Sequence, residues 1–128
     1  MRGLKPEPMT VRRMKTYTGG QGYVYQYYFV GKRAALGKGS GDAATEYVFD
    51  VTSDRKNTFA VSVFLLDRAT KHWAEIHRRT LTEAEQYGAT KMRLFQAFDE
   101  IEHMMADGRS LSIDSEALEQ LLASLGVD

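Results

Sequence analysis

Apolar and polar residues alternate along three stretches in the first half of the chain, residues 23–33, 46–52 and 58–66, each rich in Tyr, Val and Phe. A period of two in such residues predicts β-strands. Gly37-Lys38-Gly39-Ser40-Gly41 and Ser53-Asp54-Arg55-Lys56-Asn57 separate them with residues that favour turns. Residues 10–17 predict a fourth, edge strand, because edges tolerate Lys and Arg, and Gly19-Gly20-Gln21-Gly22 sets that strand apart from the next.

After residue 66 the period changes from two to three or four. Asp67 is a predicted cap for a helix over 68–79, with a stripe of Ala69, His72, Trp73 and Ile76. Thr82-Glu83-Ala84-Glu85 matches a capping box and opens a long helix over 83–106. The apolar face of that helix holds Ala84, Tyr87, Leu94, Phe95, Phe98, Ile101 and Met105, and Asp107-Gly108 ends it. Asp114 caps a last helix over 115–125, with Ile113 and Leu118 as a hydrophobic staple and Gly126 as the stop. Strands followed by helices give an α+β fold: a three- to four-stranded antiparallel meander, then two to three helices packed on one sheet face. Residues 1–9, which hold both prolines, read as a flexible basic arm, and 10–128 as a single α+β domain.

Alternation also sorts the sheet into two faces. Tyr23, Tyr25, Tyr27, Phe29, Tyr47, Phe49, Val51, Phe59, Val61, Val63 and Leu65 form the face expected under the helices. The other face collects Val24, Gln26, Tyr28, Val30, Val48, Asp50, Ser62, Phe64 and Leu66, which is mixed where a solvated face would be polar. An exposed patch around Tyr28, Val30, Val48 and Phe64 predicts an interaction surface, and with it a homodimer or another protein partner.

Composition narrows the chemistry. Among 128 residues there is no cysteine, which closes disulfide, thiolate-zinc, iron–sulfur and cysteine-nucleophile chemistry. The apolar runs are too short for a membrane span and the first residues lack a secretory core, so a cytoplasmic protein with no membrane partner is expected. Net charge is zero but unevenly placed. Residues 1–41 carry eight basic groups and one acidic, net +7, and residues 42–128 carry nine basic and sixteen acidic, net −7.

Several resemblances to catalytic motifs fail on spacing. Gly31-Lys32-Arg33-Ala34-Ala35-Leu36-Gly37-Lys38-Gly39 has five residues between its first glycines where a phosphate-binding loop needs four, and Gly39 replaces the hydroxyl that ligates Mg²⁺. His72 and His77 stand five apart, which separates them around a helix, and Asp99 with His103 is an incomplete ligand set, so no metal and no cofactor is expected. Arg12, Arg13, Lys15, Lys32 and Arg33 bracket an aromatic strand, the ingredients of a single-stranded nucleic-acid site, which a pI near 6.8 disfavours. Lys91 falls inside the apolar face of the long helix, one turn from Tyr87 and Phe95, and with His72 could line a ligand cup between sheet and helices. The plainer expectation is that its stem packs while its amine reaches water or pairs with Glu75 or Asp50. The sequence thus leads to a non-catalytic protein-interaction or self-associating module, with nucleic-acid binding and then a small-molecule site or enzyme as alternatives.

Overall fold

The computed structural model describes residues 14–37, 39 and 41–128. The chain runs β1 (Lys15–Thr18), β2 (Val24–Leu36), β3 (Ala43–Thr52), β4 (Phe59–Leu66), α1 (Asp67–His77), α2 (Glu83–Glu100), α3 (Met104–Asp107), β5 (Ser110–Ile113) and α4 (Ser115–Ser124). It is an α+β fold whose one sheet has the order β1-β2-β3-β4-β5. The first four strands form the expected antiparallel meander. The three or four strands and two or three helices of the sequence reading are corrected to five and four among the described residues. β5 was missed because it is only four residues long, although its alternation is plain: Leu111 and Ile113 are buried, Ser110 and Ser112 exposed. β5 lies parallel to β4, a pairing that needs a long crossover, supplied here by α1 and α2. The expected basic arm over 1–9, and residues 10–13 of the expected edge strand, lie outside the described residues.

One residue of β2 resets the faces of the sheet. Phe29 pairs with Phe49 but Gly31 pairs with Val48, so Val30 is the extra residue of a β-bulge. Before the bulge, Tyr25, Tyr27 and Phe29 face the helices as alternation predicts. Beyond it the parity inverts: Lys32 sits opposite Tyr47 on the helix-bearing face, and Arg33 opposite Glu46 on the other. Lys32 thereby reaches Glu83 in the first turn of α2, at 3.0 Å.

α2 lies across the helix-bearing face. Phe98 stacks on Tyr25 with ring centres 4.1 Å apart, Phe95 stacks on Tyr17 at 4.3 Å, and Tyr87 meets Phe29 edge-on at 5.0 Å. Aromatic pairs in this range add roughly 0.5–1.5 kcal/mol each beyond the burial of their area. α4 packs on both α1 and α2, burying Leu118, Leu121 and Leu122. Trp73 anchors α1, stacked on His77 at 4.1 Å, and His77 Nε2 contacts the Glu119 carboxylate of α4 at 2.9 Å.

The helix ends follow local chemistry. Glu85 N–H donates to Thr82 Oγ1 at 3.1 Å and Thr82 N–H to Glu85 Oε1 at 2.9 Å, the predicted capping box. Asp114 caps α4 through Ala117 N–H at 2.9 Å. Asp67, by contrast, is the first residue of α1 rather than its cap, and its charge lies in the first turn, where the helix dipole favours an anion. The long helix stops at Glu100, not 106, because Ile101 turns to an extended conformation (φ −101°, ψ 115°). At this end the β1–β2 loop is fastened to the helix. Tyr17 Oη donates to both Asp99 oxygens at 3.0 Å, Gly20 N–H donates to Asp99 Oδ1 at 2.9 Å, and Gln21 Nε2 donates to the carbonyl of Glu100 at 3.2 Å.

Two expectations follow. A Cβ on Gly19 would stand 2.6 Å from the Phe98 carbonyl oxygen, a backbone atom that cannot swing aside. Gly19→Ala should therefore destabilise the fold by about 1–3 kcal/mol, the usual cost of overpacking, and an unchanged denaturation midpoint would refute the close approach. The hydrogen bonds from Arg79 and then from the Thr82 N–H hold the Glu85 carboxyl down at about 2. A carboxylate whose pKa falls on folding stabilises the protein above its unfolded value and loses that contribution as the pH drops through the folded one. Acid titration of the Glu85 carboxyl by NMR should give a midpoint near 2. A midpoint in the ordinary glutamate range would contradict the arrangement.

Candidate functional site

The open face of the sheet is tied together by polar groups. Glu46, only 8% exposed, accepts from Arg33 Nε at 2.8 Å and from Ser62 Oγ at 2.6 Å, linking three strands. Tyr28 Oη donates to Asp50 Oδ2 at 2.9 Å. Of the four residues predicted to form an apolar interaction surface, Val48 is 6% exposed, Tyr28 and Phe64 are half-buried, and Val30 is the half-buried bulge residue.

The basic set is dispersed as well. Lys32 pairs with Glu83 and Arg33 with Glu46, while Arg12 and Arg13 lie outside the described residues. Tyr25 and Tyr27 are buried and Phe29 is packed against the core, so the aromatic strand that was to stack bases spends its rings on α2. The ligand cup of His72, Tyr87 and Lys91 separates in the same way. His72 is exposed on α1 and, with Ile76, borders a depression against α4, whereas Tyr87 and Lys91 lie on α2. Lys91 Nζ is 5.8 Å from the Tyr87 ring centre and 5.9 Å from that of Phe95. Burial, and then the neighbouring Lys15, push its ammonium below the ordinary lysine value. The expected partner Asp50 is engaged by Tyr28 on the opposite face, and Glu75 is exposed on α1. Among the described residues no three His, Asp or Glu side chains gather as a metal site.

A concave site lies where no motif or periodicity points to one. Between the start of β2, the β3–β4 turn and the link from α2 to β5 is a cleft of about 700 Å³, lined by Tyr23, Tyr25, Ser53, the stretch 102–106 and Arg109. Tyr25 is its buried floor, and the rings of Tyr23 and Tyr25 meet edge-on at 6.3 Å. Tyr23 (41% exposed) and Met105 (49% exposed) form its apolar rim. The early end of α2 makes the rim possible, since a helix continued to 106 would have carried Met105 along its apolar face. Gly108 leaves room for the buried Met104, whose sulfur a Cβ at that position would overlap. On the wall, Arg109 Nε donates to the Ala60 carbonyl at 3.1 Å and its guanidinium lies 6.0 Å over the Phe59 ring. One edge of the fork is thus anchored, and its terminal N–H groups can meet a carboxylate.

No family model, no curated protein and no solved structure matches the chain. Among the described residues no helix is long and apolar enough to cross a membrane.

The polar tie on the open face makes its own expectation. Glu46→Ala removes the acceptor shared by Arg33 and Ser62 and should cost about 1–3 kcal/mol of stability in chemical denaturation. A midpoint equal to that of the parent chain would show that the face is held by its apolar neighbours alone.

Proposed function

We propose that the protein is a non-catalytic interaction module whose cleft grips an apolar side chain and an adjoining carboxylate of a partner protein. The observation that carries this reading is the cleft itself: Tyr23 and Met105 exposed on the rim of a concavity of about 700 Å³, with an anchored Arg109 on its wall. Tyr, Met and Arg are the residues enriched at protein interfaces, Tyr for its rigid amphipathic ring, Met for its adaptable thioether and Arg for its planar fork. Charge complementarity selects the occupant, because the guanidinium favours an Asp or Glu beside the apolar anchor. The open sheet face is a weaker candidate, since its polar groups are already bonded to one another. Nucleic-acid binding loses support with the burial of Tyr25 and Tyr27. The separation of His72 from Tyr87 and Lys91 favours a binding role over catalysis in the predicted cup.

A photoreactive benzophenone side chain at position 23 tests this reading in the cells that make the protein. The expected result is one protein adduct that is absent when the same group replaces Leu36, which is 65% exposed at the far end of β2. The cross-linked segment should hold an apolar residue next to an acid. Met105→Asp should then weaken binding of that purified partner about tenfold or more, as loss of a central anchor does. A cross-linked second copy of this chain would make the module a homodimer. Equal labelling from both positions, or an affinity indifferent to Met105→Asp, would overturn the proposal.

A further inference from the structure

We propose that Lys15 of β1 and Lys91 of α2 form a binding site for a phosphate-type dianion, separate from the cleft. Lys15 and Tyr17 lie two apart in a strand and so project to the same face. Lys91 and Phe95 lie one turn apart on the same side of a helix. Because Tyr17 and Phe95 stack with centres 4.3 Å apart and planes within 1°, the residues preceding each in register are brought together. β1 and α2 run in the same direction here, since Gly20 N–H meets the Asp99 carboxylate further along both, so the two lysines are neighbours on the near side of the stack.

Among the described residues neither amine forms an ion pair; the pairs present engage Lys32, Arg33, Arg68, His77 and Arg79. The rings of Tyr87 and Phe95 lie near the Lys91 amine, where their electron-rich faces attract the charge. The mutual repulsion of the two amines has the sense seen at Lys91, whose ammonium is held below its ordinary value by burial and by Lys15. An oxyanion placed between the amines accepts from both and turns that repulsion into two charge-assisted hydrogen bonds. The charge count selects the ligand class. A phosphate monoester carries about −1.5 to −2 at neutral pH, and inorganic phosphate reaches the dianion at slightly alkaline pH, which matches two ammonium groups, whereas each phosphodiester unit of a nucleic acid carries one negative charge.

The test is an NMR titration of the full chain, with its lysine side chains labelled, against inorganic phosphate at constant ionic strength. The Lys15 and Lys91 signals should shift together and saturate, while those of the exposed Lys56 and Lys71 stay put. Lys91→Met and Lys15→Gln should each weaken binding about tenfold or more, the worth of one charge-assisted hydrogen bond. Should Lys91→Met fail to fold, Lys15→Gln on its exposed edge strand carries the comparison alone. A parallel, unsaturated drift of all lysine signals would overturn the site as nothing more than a diffuse ion atmosphere. Saturation by an oligonucleotide without terminal phosphates at concentrations below those of phosphate would equally overturn the choice of a dianion. The cleft proposal stands or falls separately, since neither lysine lines it.

Discussion

The seating of α2 on the sheet through stacked aromatic rings is the constraint on which the rest of the structure depends. Two nearly parallel stacks, Tyr17 on Phe95 and Tyr25 on Phe98, fix both the height and the rotation of the helix over β1 and β2. Flat rings in contact tolerate little sliding, so residues one turn along the helix or two along the strand inherit defined neighbours. The meeting of Lys15 with Lys91 is one product of this arrangement. Another is the cleft, which opens where the helix ends and the Asp99 side chain is taken up by Tyr17 and Gly20.

The periodic parts of this fold were legible in the sequence. The strands over 46–52 and 58–66, the capping box at Thr82 and the Asp114 cap are all local signals, and local chemistry was enough to place them. The sequence reading went astray where a long-range contact decided the outcome. Apolar spacing continues through Ile101 and Met105 as though one helix ran to 106, but the loop after β1, some eighty residues earlier, closes off the helix end. Likewise Asp67 is a good cap by type, yet strand β4 passes straight into helix and leaves Leu66 in the capping position.

The candidate site was less legible than the fold, for a related reason. The sequence marked Tyr28, Val30, Val48 and Phe64 as an exposed apolar face, because alternation assigns faces without knowing what the neighbouring strands contribute. Arg33, Glu46, Ser62 and Asp50 come from three strands, and only in the folded sheet do they tie that face together. Tyr23 and Met105 are each expected on the buried side of an element, but Tyr23 directly precedes β2 and Met105 belongs to the short α3, past the end of α2. Positions at such boundaries carry the periodicity of an element without sharing its burial. Lys91 was recognisable as an anomaly within an apolar stripe, but its companion is another lysine and not an acid.

The bulge at Val30 also acts as a switch point that the ion pairs of Lys32 and Arg33 keep set. Were the same residues to pair with β3 without the bulge, simple alternation would send Lys32 and Arg33 to each other's faces. The Glu83 and Glu46 partnerships would both be lost in one step, with a cation delivered to the wrong side of each. The two ion pairs therefore pin the register of β2 on β3, and the charges that follow the tyrosines decide where the strand makes room for its extra residue.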